Sequence, residues 1–154
     1  MTPKILIKQT KDLTPQQLVR IMAARTRVFV VEQTCPYQEV DDKDLDAYHV
    51  LLEQNKQLVA YARIIPHDDG TSMSFGRVLV VKEFRKQHLG RQLVATTLAT
   101  LARLYSTAPI KIQAQNYLRD FYGSFGFKAV SSVYLEDNIP HIDMVLDTTA
   151  HKNG

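Results

Sequence analysis

Residues 83–94 read EFRKQHLGRQLV, which sets Arg85, Lys86, His88 and Arg91 around Gly90 where an apolar-periodic stretch begins. A strand ending near Val80 or Val81, a turn over 85–89 and a helix opening at Gly90 would aim unpaired backbone N–H groups at one point, a place suited to an anion. Cations at a helix start oppose its dipole unless a ligand with several negative charges lies among them, as a pyrophosphate would. Without such a ligand they are solvated surface charges. Two phosphate-binding patterns are excluded. GxxxxGK[ST] occurs nowhere, and the dinucleotide fingerprint fails for lack of its glycines.

A second spacing suggests a metal. Asp42, Asp44, Asp46 and Glu53 take positions one, three, five and twelve of a twelve-residue window, the carboxylate spacing of a calcium loop. Position six, where the sharp turn needs glycine, is Ala47, and YHVLLE reads as a strand where a helix should start. The segment 34–46 is therefore expected to be a solvated loop, or an acidic lip that attracts a cationic amine. Histidines 67, 88, 141 and 151 lack ligand spacing, so no metal is expected. Cys35 reads as a small, partly buried residue.

The elements that must position these residues follow from periodicity. KILIKQ (4–9) is a strand, and Thr14 before Pro15 is a helix start with hydroxyl cap and preset φ. Leu18, Ile21, Met22, Val28 and Phe29 continue at helical spacing, with Arg25 interrupting the apolar face. Strands are expected at 47–53, 57–65 and 73–81, a helix from Leu89 to Tyr105, a strand at 110–115, a short helix in 117–127 stopped by Gly126, and a hairpin of 129–135 with 140–146 around EDNI. The order β-α-βββ-α-β-α-ββ describes an α/β chain with a mixed sheet.

At 154 residues and 45% hydrophobic content the chain can bury one sizeable core, so a single domain over 1–154 is expected. The net charge of +3 suits anionic small molecules. No stretch approaches the ~20 apolar residues of a membrane span, and neither a secretory leader nor a disulfide is indicated, so a cytoplasmic protein is expected.

The stretch VLVVKEFRKQHLGRQL resembles the acetyl-CoA motif of the GNAT superfamily of N-acetyltransferases, with Arg85 and Gly90 matching, His88 where the first glycine usually lies and Lys82 where proline is frequent. QNYLRDFYGSFGF (115–127) resembles the second cofactor motif, and VFVVEQTCPYQEVDDKD, AYARI, GRVLV and EDNIPHIDM are similar to the ElaA-like branch. The resemblance implies the GNAT fold with splayed central strands and acetyl-CoA as acetyl donor. The pantetheine arm would pair with main-chain groups of Val78 to Val80, Leu79 between them, by strand addition. The pyrophosphate would meet the amides of Lys86, Gln87, His88, Leu89, Gly90 and Arg91 beside Arg85, and Gln115, Phe121 and Tyr122 would line the second motif.

The same resemblance implies roles in chemistry. The Val78 N–H would polarise the thioester carbonyl as it becomes an oxyanion. Tyr122 matches the acid that protonates the leaving thiolate, although flanking Phe121 and Phe125 also fit a packing aromatic. For the base that accepts the ammonium proton, Glu32 is the leading candidate, with His49 and Glu53 behind it. The expected partners are acetyl-CoA and a primary amine of a small molecule or peptide, with no nucleic acid and no membrane, in a monomer or homodimer. A non-catalytic acyl-CoA sensor is the alternative. Nucleic-acid binding has less support, because Arg85, Lys86 and Arg91 sit in one turn rather than along a groove-length stripe.

Overall fold

The computed structural model describes residues 2–147. Its elements run β1 (Lys4–Gln9), α1 (Pro15–Arg25), β2 (Tyr48–Gln54), β3 (Gln57–Pro66), β4 (Met73–Val80), α2 (Leu89–Leu104), β5 (Ile110–Gln115), α3 (Arg119–Gly123), β6 (Lys128–Ala129), β7 (Tyr134–Glu136) and β8 (Ile139–Leu146). This is the expected mixed α/β order, except that the penultimate strand is two pieces, β6 and β7, each hydrogen-bonded to β8. The gap has a local cause. Ser131 Oγ accepts the Asp143 N–H at 2.9 Å, so a hydroxyl takes a place that a backbone carbonyl would hold in a ladder.

Contacts divide the chain into two compact units, Met1–Ile65 with Arg77–Leu98, and Pro66–Gly76 with Ala99–Gly154. In the first, β1 and β2 run antiparallel from Lys4↔Glu53 to Gln9↔Tyr48. Strands β2 and β3 meet at Gln54↔Gln57. The two residues between them, Asn55 (φ 51) and Lys56 (φ 65), are both left-handed, which is the turn whose twist suits a tight hairpin. Helix α1 starts as the sequence suggests and more firmly. Thr14 Oγ1 accepts the Gln17 N–H at 3.1 Å while Gln17 Oε1 accepts the Thr14 N–H at 2.9 Å, a reciprocal capping box. Beyond Arg25 the chain widens into a π-helical segment, Thr26–Glu32, where an ordinary helix through Phe29 was expected. Seven residues of apolar spacing do not separate the two helix types. Ile21, Val28, Leu51, Tyr61 and Leu79 form the core, with Leu6, Met22, Phe29 and Leu58 against it.

Arg25 does not interrupt that core as a stray charge; it is fully buried. Its Nε donates to Glu39 Oε1 at 2.9 Å, and its Nη1 and Nη2 clasp the Asp44 carboxylate at 2.7 and 3.0 Å. Arg63 Nη1 adds ion pairs to Asp41 at 2.8 Å and Asp44 at 3.1 Å. The expectation of a solvated or acidic-lip loop is thus corrected for Glu39 and Asp44, which are turned inward against arginines. Burial alone would raise the Asp44 carboxyl, but the Arg25 hydrogen bonds, the Asp41 amide and the nearby arginine charges bring it down to about 2. His49, also fully buried, lies between Thr10 Oγ1 at 2.7 Å and the Tyr61 hydroxyl at 2.6 Å. Burial, helped by the Arg25 and Arg63 charges against the opposing pull of Asp44, lowers its imidazole to about 4.

In the second unit β5 and β8 run antiparallel from Ile110↔Leu146 to Gln115↔His141. Strand β4 begins here, parallel to β5 at Met73↔Ile110, and enters the first unit at Arg77. The turn after α3 ends at Gly126, whose φ of +100 favours glycine and whose absent Cβ would lie 3.1 Å from Leu146 Cδ1.

Two outcomes follow from the buried charges. Replacing Arg25 by Met should cost about 3–5 kcal/mol in urea unfolding, because Glu39 and Asp44 would stay buried without their principal partner. The pH dependence has two windows, each from a depressed folded-state pKa. The unfolded chain takes up the His49 proton first as pH falls from 6.5 to about 4, so stability drops there by about 3 kcal/mol at about 1.4 kcal/mol per pH unit. The Asp44 contribution goes between about 3.8 and about 2. Melting His49→Gln across pH 4–7 should show a flatter profile than the parent; an equal slope would contradict the His49 assignment.

Candidate active site

The stretch from Arg77 in β4 to Leu98 in α2 belongs to the first unit. After Val81 the chain makes a single 3-10 turn, Lys82–Phe84, in which Phe84 N–H donates to Val81 O at 2.8 Å. It then alternates in handedness: Lys86 (φ 73) and His88 (φ 60) are left-handed, while Gln87 between them is not. Such alternation is the backbone pattern of anion-binding concavities. The His88 carbonyl accepts the Gln92 N–H at 3.3 Å and so opens α2, whose first amides have no partner within the helix. Histidine thus stands in the conformation that glycine adopts without strain, at a cost on the order of 1 kcal/mol. At Gly90 the reverse holds. A Cβ there would meet Val80 Cγ2 at an ordinary 3.8 Å, so its protein surroundings do not require glycine.

Arg85 is held by two contacts. Arg85 Nη2 pairs with Glu32 Oε1 at 2.8 Å, and its Nε donates to Val80 O at 2.9 Å. This brings Glu32, at the end of the π-helical segment, to the edge of β4. Val78 and Val80 are half-buried and Leu79 is buried in the core. Lys86, Gln87, His88 and Arg91 are exposed.

The second unit holds Gln115, Phe121 and Tyr122. Tyr122 is 5% exposed, and its ring lies 6.1 Å from Phe75, 5.2 Å from Phe121 and 6.0 Å from Phe127 between centroids. Burial, with Tyr117 adding to it, pushes its phenol well above the ordinary value, so the hydroxyl keeps its proton at neutral pH. Beside Gln115, the Asn116 Oδ1 is buried without a hydrogen-bond partner among the described residues. An orphan acceptor of that kind costs stability unless a ligand N–H satisfies it.

Residues 9–148 match the family described as acetyltransferase (GNAT) domain. The chain belongs to the GNAT family. It is 45% identical to protein ElaA of Escherichia coli over 136 residues, covering 86% of this chain and 89% of that one. A crystal structure of an acyl-CoA N-acyltransferase from Pseudomonas aeruginosa matches with a TM-score of 0.89 at 42% identity, over 94% of this chain and 99% of that one. The crystal structure of E. coli ElaA matches with a TM-score of 0.87 at 41% identity, over 93% and 98%. The reaction class of the GNAT family is acyl transfer from acyl-CoA, and the open mixed sheet is its fold.

Of the base candidates, Glu32 lies at the β4 edge, whereas His49 is sealed in the core between Thr10 and Tyr61 and Glu53 sits half-buried near the end of β2. Among the described residues no group of three His, Cys, Asp or Glu side chains could hold a metal ion, and His151 lies outside them. Among them too, no helix is long and apolar enough to cross a membrane. Sequence reasoning missed Asn116, and it missed Arg77, half-buried in β4 and left-handed at φ 51. The available signal was a charged residue at an inward strand position.

The loop gives a clean test. His88→Gly should raise stability by roughly 0.5–1 kcal/mol in urea unfolding with the slope unchanged, since the strain goes and the side chain removed is exposed. A loss of stability would show that the imidazole offsets its own strain.

Proposed function

We propose that the protein is an acetyl-CoA-dependent N-acetyltransferase acting on a primary amine of a small molecule or peptide, by direct attack on the thioester in a ternary complex. The observation that carries this is the backbone of 85–91: a basic loop with left-handed residues at Lys86 and His88 runs straight into the first turn of α2. The residues present fit the phosphates of CoA. Loop and helix amides from Lys86 to Arg91 would hold the pyrophosphate, with Arg85, Lys86 and Arg91 supplying charge. Main-chain groups of Val78, Leu79 and Val80 would receive the pantetheine amides, with Gln115 and Phe121 beside the arm and the orphan Asn116 Oδ1 as a further acceptor. We read residues 1–154 as one such domain, since the family match at 9–148 runs through both compact units. A cytoplasmic location and a monomer or homodimer belong to the same reading.

In the reaction the amine must arrive unprotonated, and Glu32 is the proposed acceptor of its proton, directly or through water. The nitrogen then attacks the carbonyl carbon while the Val78 N–H stabilises the charge on oxygen. As the tetrahedral species collapses, the C–S bond breaks, the sulfur takes a proton from Tyr122, and the nitrogen gives up its second proton, which returns to the Tyr122 phenolate through water and leaves a neutral amide and free CoA thiol. The buried phenol resists ionisation, but a thiolate leaving into the same dry surroundings is disfavoured too, so burial does not bias the transfer one way.

A binding module without turnover is the competing function. Acetyl-CoA at a concentration well above micromolar should raise the melting temperature, because it binds only the folded state. Release of free thiol with a panel of primary amines then separates enzyme from sensor. Tyr122→Phe should keep the melting shift and lower turnover by about 10- to 100-fold. Unchanged turnover would remove Tyr122 from the mechanism, and the absence of a melting shift in the parent protein would contradict CoA binding itself.

A further inference from the structure

The residue in β4 with the least favourable backbone is Arg77, at φ 51 within the strand. A left-handed residue inside a strand breaks the alternation of peptide directions and re-aims the groups that follow it, as bulges do. Glycine would adopt this geometry freely, and Gly76 is one position away, yet the left-handed site carries an arginine. Such strain persists only where the surroundings over-determine it, and it gathers at functional positions.

The surroundings of Arg77 do over-determine it. Its Nε forms an ion pair with Glu39 Oε2, and its Nη2 donates to the Glu39 backbone carbonyl at 2.9 Å. Asp41 Oδ2 lies 3.6 Å from the same nitrogen, and the guanidinium carbon is 5.4 Å from the Tyr37 ring centroid. Glu39 is itself immobilised: Arg25 Nε donates to its Oε1 at 2.9 Å, Arg25 Nη2 to its carbonyl at 2.9 Å, and the Tyr37 hydroxyl to its Oε2 at 2.7 Å. Fully buried Arg25 is thus connected through Glu39 to the bend in β4, and the residue immediately after that bend is Val78.

We propose that Arg77 is a positioning residue for acyl transfer: clamped by Glu39, it holds β4 in the left-handed bend that aims the Val78 N–H at the thioester oxygen. This rests on the acyltransferase reading above. It assigns to the buried arginine–carboxylate cluster a part in turnover besides folding, and it accounts for an arginine where glycine would be less strained.

The test uses acetyl-CoA carrying carbon-13 at the thioester carbonyl, whose infrared stretch moves to lower frequency when a hydrogen bond polarises it. This readout needs no acceptor. In Arg77→Gly the bend is still allowed but no longer clamped. We expect it to bind acetyl-CoA within roughly threefold of the parent, to lose most of the carbonyl shift, and to lose about tenfold or more in kcat with little change in KM for acetyl-CoA. Arg77→Lys, which keeps the charge but not the fork, should recover part of both signals. Tyr37→Phe removes one clamp on Glu39 and should give a smaller loss, which serves as the second measurement should Arg77→Gly fold poorly. A parent-like carbonyl shift and kcat in these variants would overturn the proposal. An unshifted carbonyl in the bound parent would overturn it while leaving acyl-CoA binding intact, and failure of acetyl-CoA to bind the parent would overturn the acyltransferase reading first.

Discussion

The first unit depends on one guanidinium. Arg25 is fully buried, and removing its charge from water would be prohibitive without compensation. Two carboxylates from the segment after the π-helical turn supply it, Glu39 and Asp44, in geometry that uses Nε, Nη1 and Nη2. Desolvation opposes the charged guanidinium, yet the Asp44 and Glu39 contacts raise its pKa overall. The pair is therefore a constraint more than a source of stability. Once the arginine is inside, both acids have to follow it, and the segment that carries them is drawn against β3 and β4 through Arg63 and Arg77.

That constraint links folding to chemistry. The π-helical segment that follows Arg25 ends at Glu32, which pairs with Arg85 at the β4 edge. The same cluster reaches β4 at Arg77, and β4 leads through one 3-10 turn to the basic loop and α2. A short stretch of chain thus carries the strained Arg77, the backbone of Val78 to Val80 and the left-handed Lys86 and His88. In the second unit the work is different. Tyr122 sits among Phe75, Phe121 and Phe127, a surrounding that keeps a phenol protonated and its ring fixed.

Much of this was legible in the sequence. Thr14–Pro15 marked a helix start because a hydroxyl cap and a preset φ act within one turn of chain, and β5 and the start of α2 were set by local periodicity. The basic loop could be singled out because cations at a helix start are locally anomalous. Arg25, Glu39, Asp44 and Arg77 were not legible as partners. Their pairing closes over 14 to 38 residues of sequence, and no local pattern records which acid turns inward. An arginine on the apolar face of α1 and others at inward positions of β3 and β4 were the available hint, since a buried charge implies a buried counter-charge. The spacing of Asp42, Asp44, Asp46 and Glu53 misdirects for the same reason: Asp44 is spent on Arg25, and Glu53 lies on β2 opposite Lys4.

Acetyl-CoA is proposed to lie along the backbone from Val78 to Arg91. A crystal structure of the acetyl-CoA complex tests it most directly. Pyrophosphate oxygens are expected within hydrogen-bonding distance of amides between Lys86 and Arg91, and the thioester oxygen about 3 Å from the Val78 nitrogen. Acetyl-CoA bound with its phosphates away from that loop, or with its thioester far from Val78, would contradict it.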